Sequence, residues 1–307
     1  VQTLASYLIG RRIHLPTPEE RLVEVERGVR VLCQCNWQPE RKDKLTVIII
    51  HGLEGSSESG YAVGIAEKGL ALGMNVVRMN QRNCGGTDGL SPTLYHSGRS
   101  NDLAAIGKHF VEQDGVHRFA FVGYSMGGNL VLKLAGEWST QAPTQFRAVA
   151  AVCPAMDLGA SADALHHRAN RLYEIYFLRK LRERMRTKAR LFPDVFDVAR
   201  LNGIRSLRDF DEQVTAYYSG FSGADDYYTR SAAANVVDRI TVPALIIHAA
   251  NDPFVRILPE TRKKLAANSN ITFIEAPDGG HCSFLAEPNG YDGHWAEQKV
   301  VEFLHQL

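Results

Sequence analysis

The chain reads as an α/β protein built on a doubly wound, mostly parallel sheet, and three observations predict this. Short apolar runs of strand character recur at residues 45–50, 75–78, 119–122, 146–152, 242–250 and 271–274. Helix patterns separate several of them, at 61–72, 101–113, 129–138 and 259–267, the third of them apolar. Strands alternating with helices imply right-handed crossovers that place helices on both faces of a parallel sheet. Finally, 45% of the 307 residues are hydrophobic, enough to fill one large core.

Taken in order, residues 21–26 and 29–37 read as a hairpin turning at Gly28. They are expected to supply antiparallel edge strands ahead of the parallel ones. Residues 45–50 carry the strongest strand signal and run into His51-Gly52-Leu53-Glu54-Gly55. Between the strands at 146–152 and 242–250 lie about 90 residues, far more than one crossover helix needs. Residues 158–235 are therefore expected to form an inserted helical lid, leaving 1–157 and 236–307 as the core. Within it, 173–188 reads as a basic helix with Arg179, Lys180, Arg182, Arg184, Arg186 and Lys188. A solvated face is the simplest account. Because Ile175, Phe177 and Leu178 adjoin the charges, contact with an acidic head group or membrane surface is the sharper one. Tyr173, Tyr176, Phe177, Tyr217, Tyr218 and Phe221 are the aromatic residues of this insertion, available to pack it down or to line a pocket. A last helix is expected at 294–305.

The chemistry centres on Gly123-Tyr124-Ser125-Met126-Gly127. The pattern Gly-x-Ser-x-Gly, between a buried strand and an apolar helix, places a serine at the apex of a strained turn. Glycines two before and two after are needed because strand and helix approach too closely there for side chains. A serine needs a base, an acid and an oxyanion hole before it can act as a nucleophile. Asp252 follows the strand at 242–250, and His281 follows the strand at 271–274 through the loop Pro277-Asp278-Gly279-Gly280-His281. The order Ser125, Asp252, His281 suits such a triad. His281 is expected to take the serine proton, with Asp252 fixing its tautomer. The backbone N–H groups of Leu53 and Met126 are the candidate oxyanion hole, the latter at a helix N-terminus.

Each residue also has a plainer role to compete with. Asp252 could cap the helix starting near Pro259. Asp157 follows the strand at 146–152 and is the rival acid. His51 and His248 lie near strand ends, where orienting a loop or filling a polar gap is the simpler role. His109 and Asp114 have the His-x4-Asp spacing of some acyltransferases but fall at the end of a crossover helix. Asp225 and Asp226 are expected to cap the helix after them.

These segments resemble the α/β-hydrolase superfamily over about residues 45–307. Further residues narrow the likeness: Arg82-Asn-Cys-Gly-Gly86, Tyr95-His-Ser-Gly98, Asp102, Ser206-Leu-Arg-Asp-Phe-Asp211, Ala224-Asp-Asp-Tyr-Tyr228 and Val1-Gln2-Thr3. Together these resemble the YheT-like branch. The resemblance implies an α/β-hydrolase fold and assigns Ser125, Asp252 and His281 as the triad.

Net charge is +1, which gives no general attraction to nucleic acid or anionic membrane. No run approaches the ~18 apolar residues of a membrane span, and no secretory signal pattern is visible. Five cysteines, an odd number, fit a reducing compartment and a cytoplasmic location. Cys33, Cys35 and Cys153 read as small buried hydrophobes. Cys84 and Cys282 fall in loops near the proposed site. The expectation is a serine esterase acting on a small-molecule or lipid ester, with no metal or organic cofactor. Oligomeric state cannot be read from the sequence. Acyl transfer, thioester or amide hydrolysis by the same triad is the alternative, and a non-catalytic binding protein the more remote one.

Overall fold

The computed structural model describes Thr3 and residues 13–307. Val1 and Gln2 of the N-terminal motif lie outside the described residues. Eight strands form one sheet: β1 (Glu19–Glu26), β2 (Val29–Asn36), β3 (Thr46–Ile50), β4 (Asn75–Met79), β5 (Phe119–Tyr124), β6 (Phe146–Val152), β7 (Ala244–Ala249) and β8 (Ile271–Ala276). Their spatial order is β1-β2-β4-β3-β5-β6-β7-β8. β1, β2 and β4 pair antiparallel, and every other pairing is parallel. Every residue of β3, β4, β5 and β7 is buried, as a sheet covered on both faces requires. At the edge, β1 alternates toward solvent and turns into β2 through Gly28 at φ +76°.

The helices in chain order begin with α1 (Gly60–Ala71), α2 (Ser100–Asp114) and α3 (Met126–Trp138). Then come α4 (Leu158–His166), α5 (Arg171–Leu191), α6 (Leu207–Phe210), α7 (Tyr217–Ser219) and α8 (Ala224–Ser231), all between β6 and β7. α9 (Pro259–Ala267) and α10 (Trp295–His305) complete the chain. Strand side chains alternate between faces. Ile48 and Phe121 join Leu103 of α2, Leu130 of α3 and Leu265 of α9 in one core. Val47 and Val122 join Ile65 of α1 and Val300 of α10 in the other. Burial of each such side chain stabilises by roughly 1.5–3 kcal/mol, so the two cores fix the sheet between its helical layers.

The segment between β6 and β7 is helical and holds a small core of its own. Leu178, Leu181 and Met185 of α5 pack with Phe196, Phe210 and Val214, and Leu53 and Leu94 reach in from the loops beneath. The basic residues of α5 do not form one solvated face. Lys188 is fully buried and donates to Asn83 Oδ1 (3.0 Å), the Asp88 carbonyl (2.9 Å) and the Ser91 carbonyl. Arg184 turns inward to Glu54 and Asp88. Arg179, Lys180 and Arg186 do face outward, beyond exposed Leu172, Ile175 and Tyr176. Among the described residues no helix is long and apolar enough to cross a membrane.

Two other polar pairs fall into structural places. Asp114 holds Arg21 of β1 and Arg41 at the sheet edge, and no hydrogen bond links it to His109 among the described residues. Asp225 and Asp226 occupy the first turn of α8, whose N-cap is Gly223. Asp226 accepts the Ser222 N–H at 3.0 Å, and Asp225 pairs with Arg208.

α3 starts where three segments meet without side chains. A Cβ on Gly123 would lie 2.2 Å from the Gly127 carbonyl oxygen, and one on Gly127 would lie 2.3 Å from that of Ile50. Both contacts are to backbone, which cannot swing aside. Gly127→Ala is therefore expected to destabilise the fold by roughly 2–4 kcal/mol, read as a lowered midpoint in urea; an unchanged midpoint would contradict the packing described.

Candidate active site

Ser125 stands at the C-terminal end of the central strand β5, one residue before α3. Its backbone is held at φ +54°, ψ −118°, a conformation L-residues rarely adopt and keep only when the surroundings enforce it. Here the Ser125 N–H donates to the Val152 carbonyl on β6 (2.9 Å), and the Ser125 carbonyl accepts from Asn129 (3.1 Å) and Ala155 (3.3 Å). The turn thus presents the Oγ above the sheet edge.

Two other strand ends bring partners to it. His281, in the loop after β8, has Nε2 3.0 Å from Ser125 Oγ. Its Nδ1 lies 2.8 Å from Oδ2 of Asp252, in the loop after β7. The second oxygen of Asp252 accepts the N–H groups of Phe254 (3.1 Å) and Val255 (2.9 Å). The Phe254 ring stands 4.4 Å from the imidazole, and the His281 N–H donates to Thr3 Oγ1 (2.9 Å). Ring position and tautomer are both constrained: Nδ1 carries the proton toward Asp252, and Nε2 faces the hydroxyl.

Charge follows the geometry. Burial works against ionising Asp252, but the His281 ring and the two N–H donors hold its carboxyl below the usual range. Burial likewise disfavours an imidazolium at His281, and the Asp252 carboxylate outweighs it, so the ring pKa is raised.

The backbone N–H groups of Leu53 and Met126 carry no hydrogen bond to another described residue. Met126 is the first residue of α3, where the N–H has no partner within the helix. The loop bearing Leu53 is fixed on both sides. The Gly52 N–H donates to Tyr61 Oη (2.9 Å), and the Glu54 N–H to Tyr95 Oη (3.2 Å). Tyr95 in turn donates to the Glu54 carboxylate (2.6 Å), which receives Arg184 of α5 through two contacts of 2.8 Å.

The rival residues are engaged elsewhere. Asp157 accepts the Leu258 N–H and the Thr261 hydroxyl, each at 2.9 Å, so it closes the start of α9, the role considered for Asp252. His51 accepts the Gln81 N–H at Nε2 (3.1 Å), and burial pushes its pKa down to about 4. His248 is buried on β7, where burial also lowers its pKa. Cys84 packs between Tyr95 and Met126, and burial raises its thiol pKa to about 12. Cys282 Sγ lies 3.8 Å from His281 Nε2. Two sets of potential ligand atoms gather within 4.8 Å, Cys153–His281–Cys282 and Cys153–His248–Asp252. A metal on either set would draw His281 or Asp252 out of the relay.

A pocket of about 980 Å³, counted with its open mouth, spreads from Ser125 toward the insertion. Its walls are mostly apolar, among them Leu53, Met126, Leu165, Phe177 and Phe254. Of the six aromatic residues singled out from sequence, only Phe177 lines it. Tyr227 and Tyr228, in a motif quoted for family resemblance, line it too, as do Phe210 and Asp211. Arg82 and Asp102 of the same signature form a buried two-point ion pair at 2.7 and 2.5 Å.

Comparison with known proteins agrees with this architecture. Residues 46–288 match the family model described as alpha/beta hydrolase fold. YheT of Escherichia coli (strain K12) is 29% identical over 99% of this chain and 89% of its own length. Phospholipase ABHD3 of Mus musculus is 28% identical over 82% of this chain. Monoacylglycerol lipase of Saccharomyces cerevisiae is 27% identical over 85%. The match spans 60% and 59% of the length of these two eukaryotic relatives. Among solved structures, the Pyrococcus furiosus esterase Pf2001 superposes with a TM-score of 0.61 at 17% identity, over 97% of this chain and 98% of its own. Est1E from Butyrivibrio proteoclasticus gives 0.58 at 16%, over 94% and 98%. At these identities the structural likeness is one of fold.

Asp157→Ala is expected to cost about 1–2 kcal/mol of stability through the lost helix start while leaving Ser125 reactive toward a fluorophosphonate. Loss of that reactivity in a folded variant would return Asp157 to the relay.

Proposed function

This chain belongs to the alpha/beta hydrolase family, in its YheT-like branch, and from that premise we propose that it is a serine hydrolase of carboxylic esters. The observation that carries the reading is the unbroken relay from Ser125 Oγ through His281 to Asp252, at 3.0 and 2.8 Å, on the wall of an apolar pocket.

Ser125 Oγ attacks the acyl carbon while His281 Nε2 takes its proton. Asp252, already hydrogen-bonded to Nδ1, stabilises the imidazolium that forms. The oxyanion of the tetrahedral intermediate points to the N–H groups of Leu53 and Met126, where fixed dipoles need no reorganisation. His281 then protonates the departing alcohol, leaving an acyl-serine. Water, deprotonated by the same ring, attacks the acyl carbon and releases the acid. The apolar pocket supports an acyl chain as the group bound beside Ser125, with the helices at 158–235 as its lid. Relatives named phospholipase and monoacylglycerol lipase support esters of lipid type. The outward face of α5, with Leu172, Ile175 and Tyr176 followed by Arg179 and Lys180, suits peripheral contact with a lipid surface.

Fluorophosphonate labelling with peptide mapping tests the nucleophile. Modification is expected at Ser125 and absent in Ser125→Ala, with His281→Ala and Asp252→Asn slowed on the order of 10³-fold or more. Undiminished labelling of Ser125→Ala would remove the reading, and an ester panel graded by acyl length would then have no basis.

The pH profile tests the base separately. The neutral ring is the active form, so kcat/KM rises with pH through the His281 pKa, raised above 6.5 by Asp252. Asp252→Asn removes the charge that holds the imidazolium, and the rising limb of its residual activity should move to lower pH. A limb that stays in place would separate the acid from the base.

A further inference from the structure

The wall that holds Ser125 also holds a buried carboxylate, Asp211, that forms no salt bridge among the described residues, although Arg208 acts on it from a distance. Asp211 is only 8% exposed and opens the six-residue π-helix Asp211–Ala216, between α6 and α7. π-Helical turns are rare and collect at functional sites. Oδ1 accepts the Thr215 hydroxyl and Oδ2 the Tyr228 hydroxyl, each at 2.8 Å. A carboxylate has about four acceptor sites, so both oxygens keep capacity for another donor. Arg208, three residues away in sequence, gives its N–H groups to Asp163 and Asp225 instead. Burial raises the Asp211 pKa to about 6, which leaves an anion at neutral pH.

An anion enclosed in a mostly apolar wall is costly unless donors complete its shell. Two neutral hydroxyls do so only in part. The same wall carries a complementary group. His96 accepts the Gly98 N–H at Nδ1 (3.1 Å), which leaves the proton of the neutral ring on Nε2, and burial holds its pKa down to about 3. The pocket therefore offers an acceptor and a donor beyond the reacting serine. A hydroxyl group, itself donor and acceptor, can bind either kind, whereas an ammonium group can bind only the acceptor.

We propose that Asp211 is a substrate-recognition residue that binds a hydroxyl group carried by the ester outside its scissile carbonyl. The preferred substrates are then hydroxyl-bearing esters, not plain alkyl esters. The proposal rests on the esterase reading of the same pocket. It assigns Asp211 a role in specificity and none in bond making.

Matched ester pairs test it as a cycle between the substrate hydroxyl and the carboxylate. Hexyl against 6-hydroxyhexyl butanoate places the hydroxyl on the alcohol side, and methyl hexanoate against methyl 6-hydroxyhexanoate places it on the acyl side. In at least one pair, the hydroxyl-to-plain ratio of kcat/KM should fall about tenfold or more from the parent to Asp211→Asn, as loss of a charged hydrogen bond implies. A purely structural role would lower both members of each pair alike, and ratios unchanged by Asp211→Asn in both pairs overturn the proposal. So does a parent that prefers the 6-amino analogues to the hydroxy ones.

A reaction-free arm separates this claim from the esterase reading. On the Ser125→Ala background, thermal shift compares 1-octanol with 1,8-octanediol, with and without Asp211→Asn. A diol preference that depends on the carboxylate supports the site even if no ester is hydrolysed. An equal preference with and without it overturns the site even if esters are.

Discussion

Everything at this site depends on one close approach of backbone to backbone. At the start of α3 the chain passes so near the end of β3 that a single methyl group on Gly127 would lie 2.3 Å from the Ile50 carbonyl oxygen. A Cβ on Gly52 in the next loop would lie 3.1 Å from that of Ser125. With side chains removed from the junction, the end of β5, the start of α3 and the loop after β3 converge on one point. Leu53 and Met126, whose N–H groups have no hydrogen-bond partner among the described residues, thereby line the same pocket as Ser125. Backbone strain at Ser125, φ +54°, is sustained because hydrogen bonds to Val152, Asn129 and Ala155 determine the turn from three directions.

The helical insertion is tied to that junction by charge. Glu54, itself at φ +57°, sits one residue after Leu53 and binds both Arg184 of α5 and Tyr95. Side chains on this bridge are largely buried, 14% exposed at Arg184 and 4% at Glu54, so water screens it little. Moving α5 would pull on the residue next to Leu53, whereas its outward Arg179–Glu183 pair joins two residues of the same helix. Lys188 repeats the pattern one turn later against the loop of Asn83 to Ser91, with burial bringing its pKa down to about 8. The loops below and the helix above are thus one electrostatic unit.

Much of the core was legible because its signals are local. Strand 146–152 and helix 259–267 appear at their expected bounds, since apolar runs and a proline at the first helical turn declare themselves in a few residues. The helix after Ser125 starts three residues earlier than its apolar pattern suggested. Gly127 and Gly128 have little helical preference of their own, and tertiary packing imposes it. Less could be read where chemistry depends on neighbours distant in sequence. Six basic residues on α5 looked alike, yet only packing distinguishes buried Lys188 from exposed Arg179. Asp157 and Asp252 both follow buried strands and both fit the order serine, acid, histidine, so sequence left Asp157 standing as the rival to Asp252. Their positions differ through hydrogen bonds to Leu258 and Thr261 in one case and to His281 in the other. The pocket wall was the least legible part. Asp211, Tyr227 and Tyr228 come together only because a π-helical turn and α8 fold back on each other.

That difference can be stated as a question of which buried polar groups retain bonding capacity. Arg82 and Asp102 satisfy each other through two contacts. Asn129 donates to the carbonyls of Ser97 and Ser231 and accepts from Ala233, which uses its amide on both sides. Asp157 is met by two donors at the start of α9. These groups fix the fold and have little left for a ligand. The Leu53 and Met126 N–H groups and the remaining acceptor sites of Asp211 are different. Buried polar groups are ordinarily satisfied within the protein, so a set with capacity to spare is informative when it shares one cavity. Here that cavity is also the one bordered by Ser125, and its remaining lining is mostly hydrocarbon. The proposed chemistry and recognition would therefore share one cavity at the sheet edge, while Arg82, Asp102, Asn129 and Asp157 hold the surrounding structure in place.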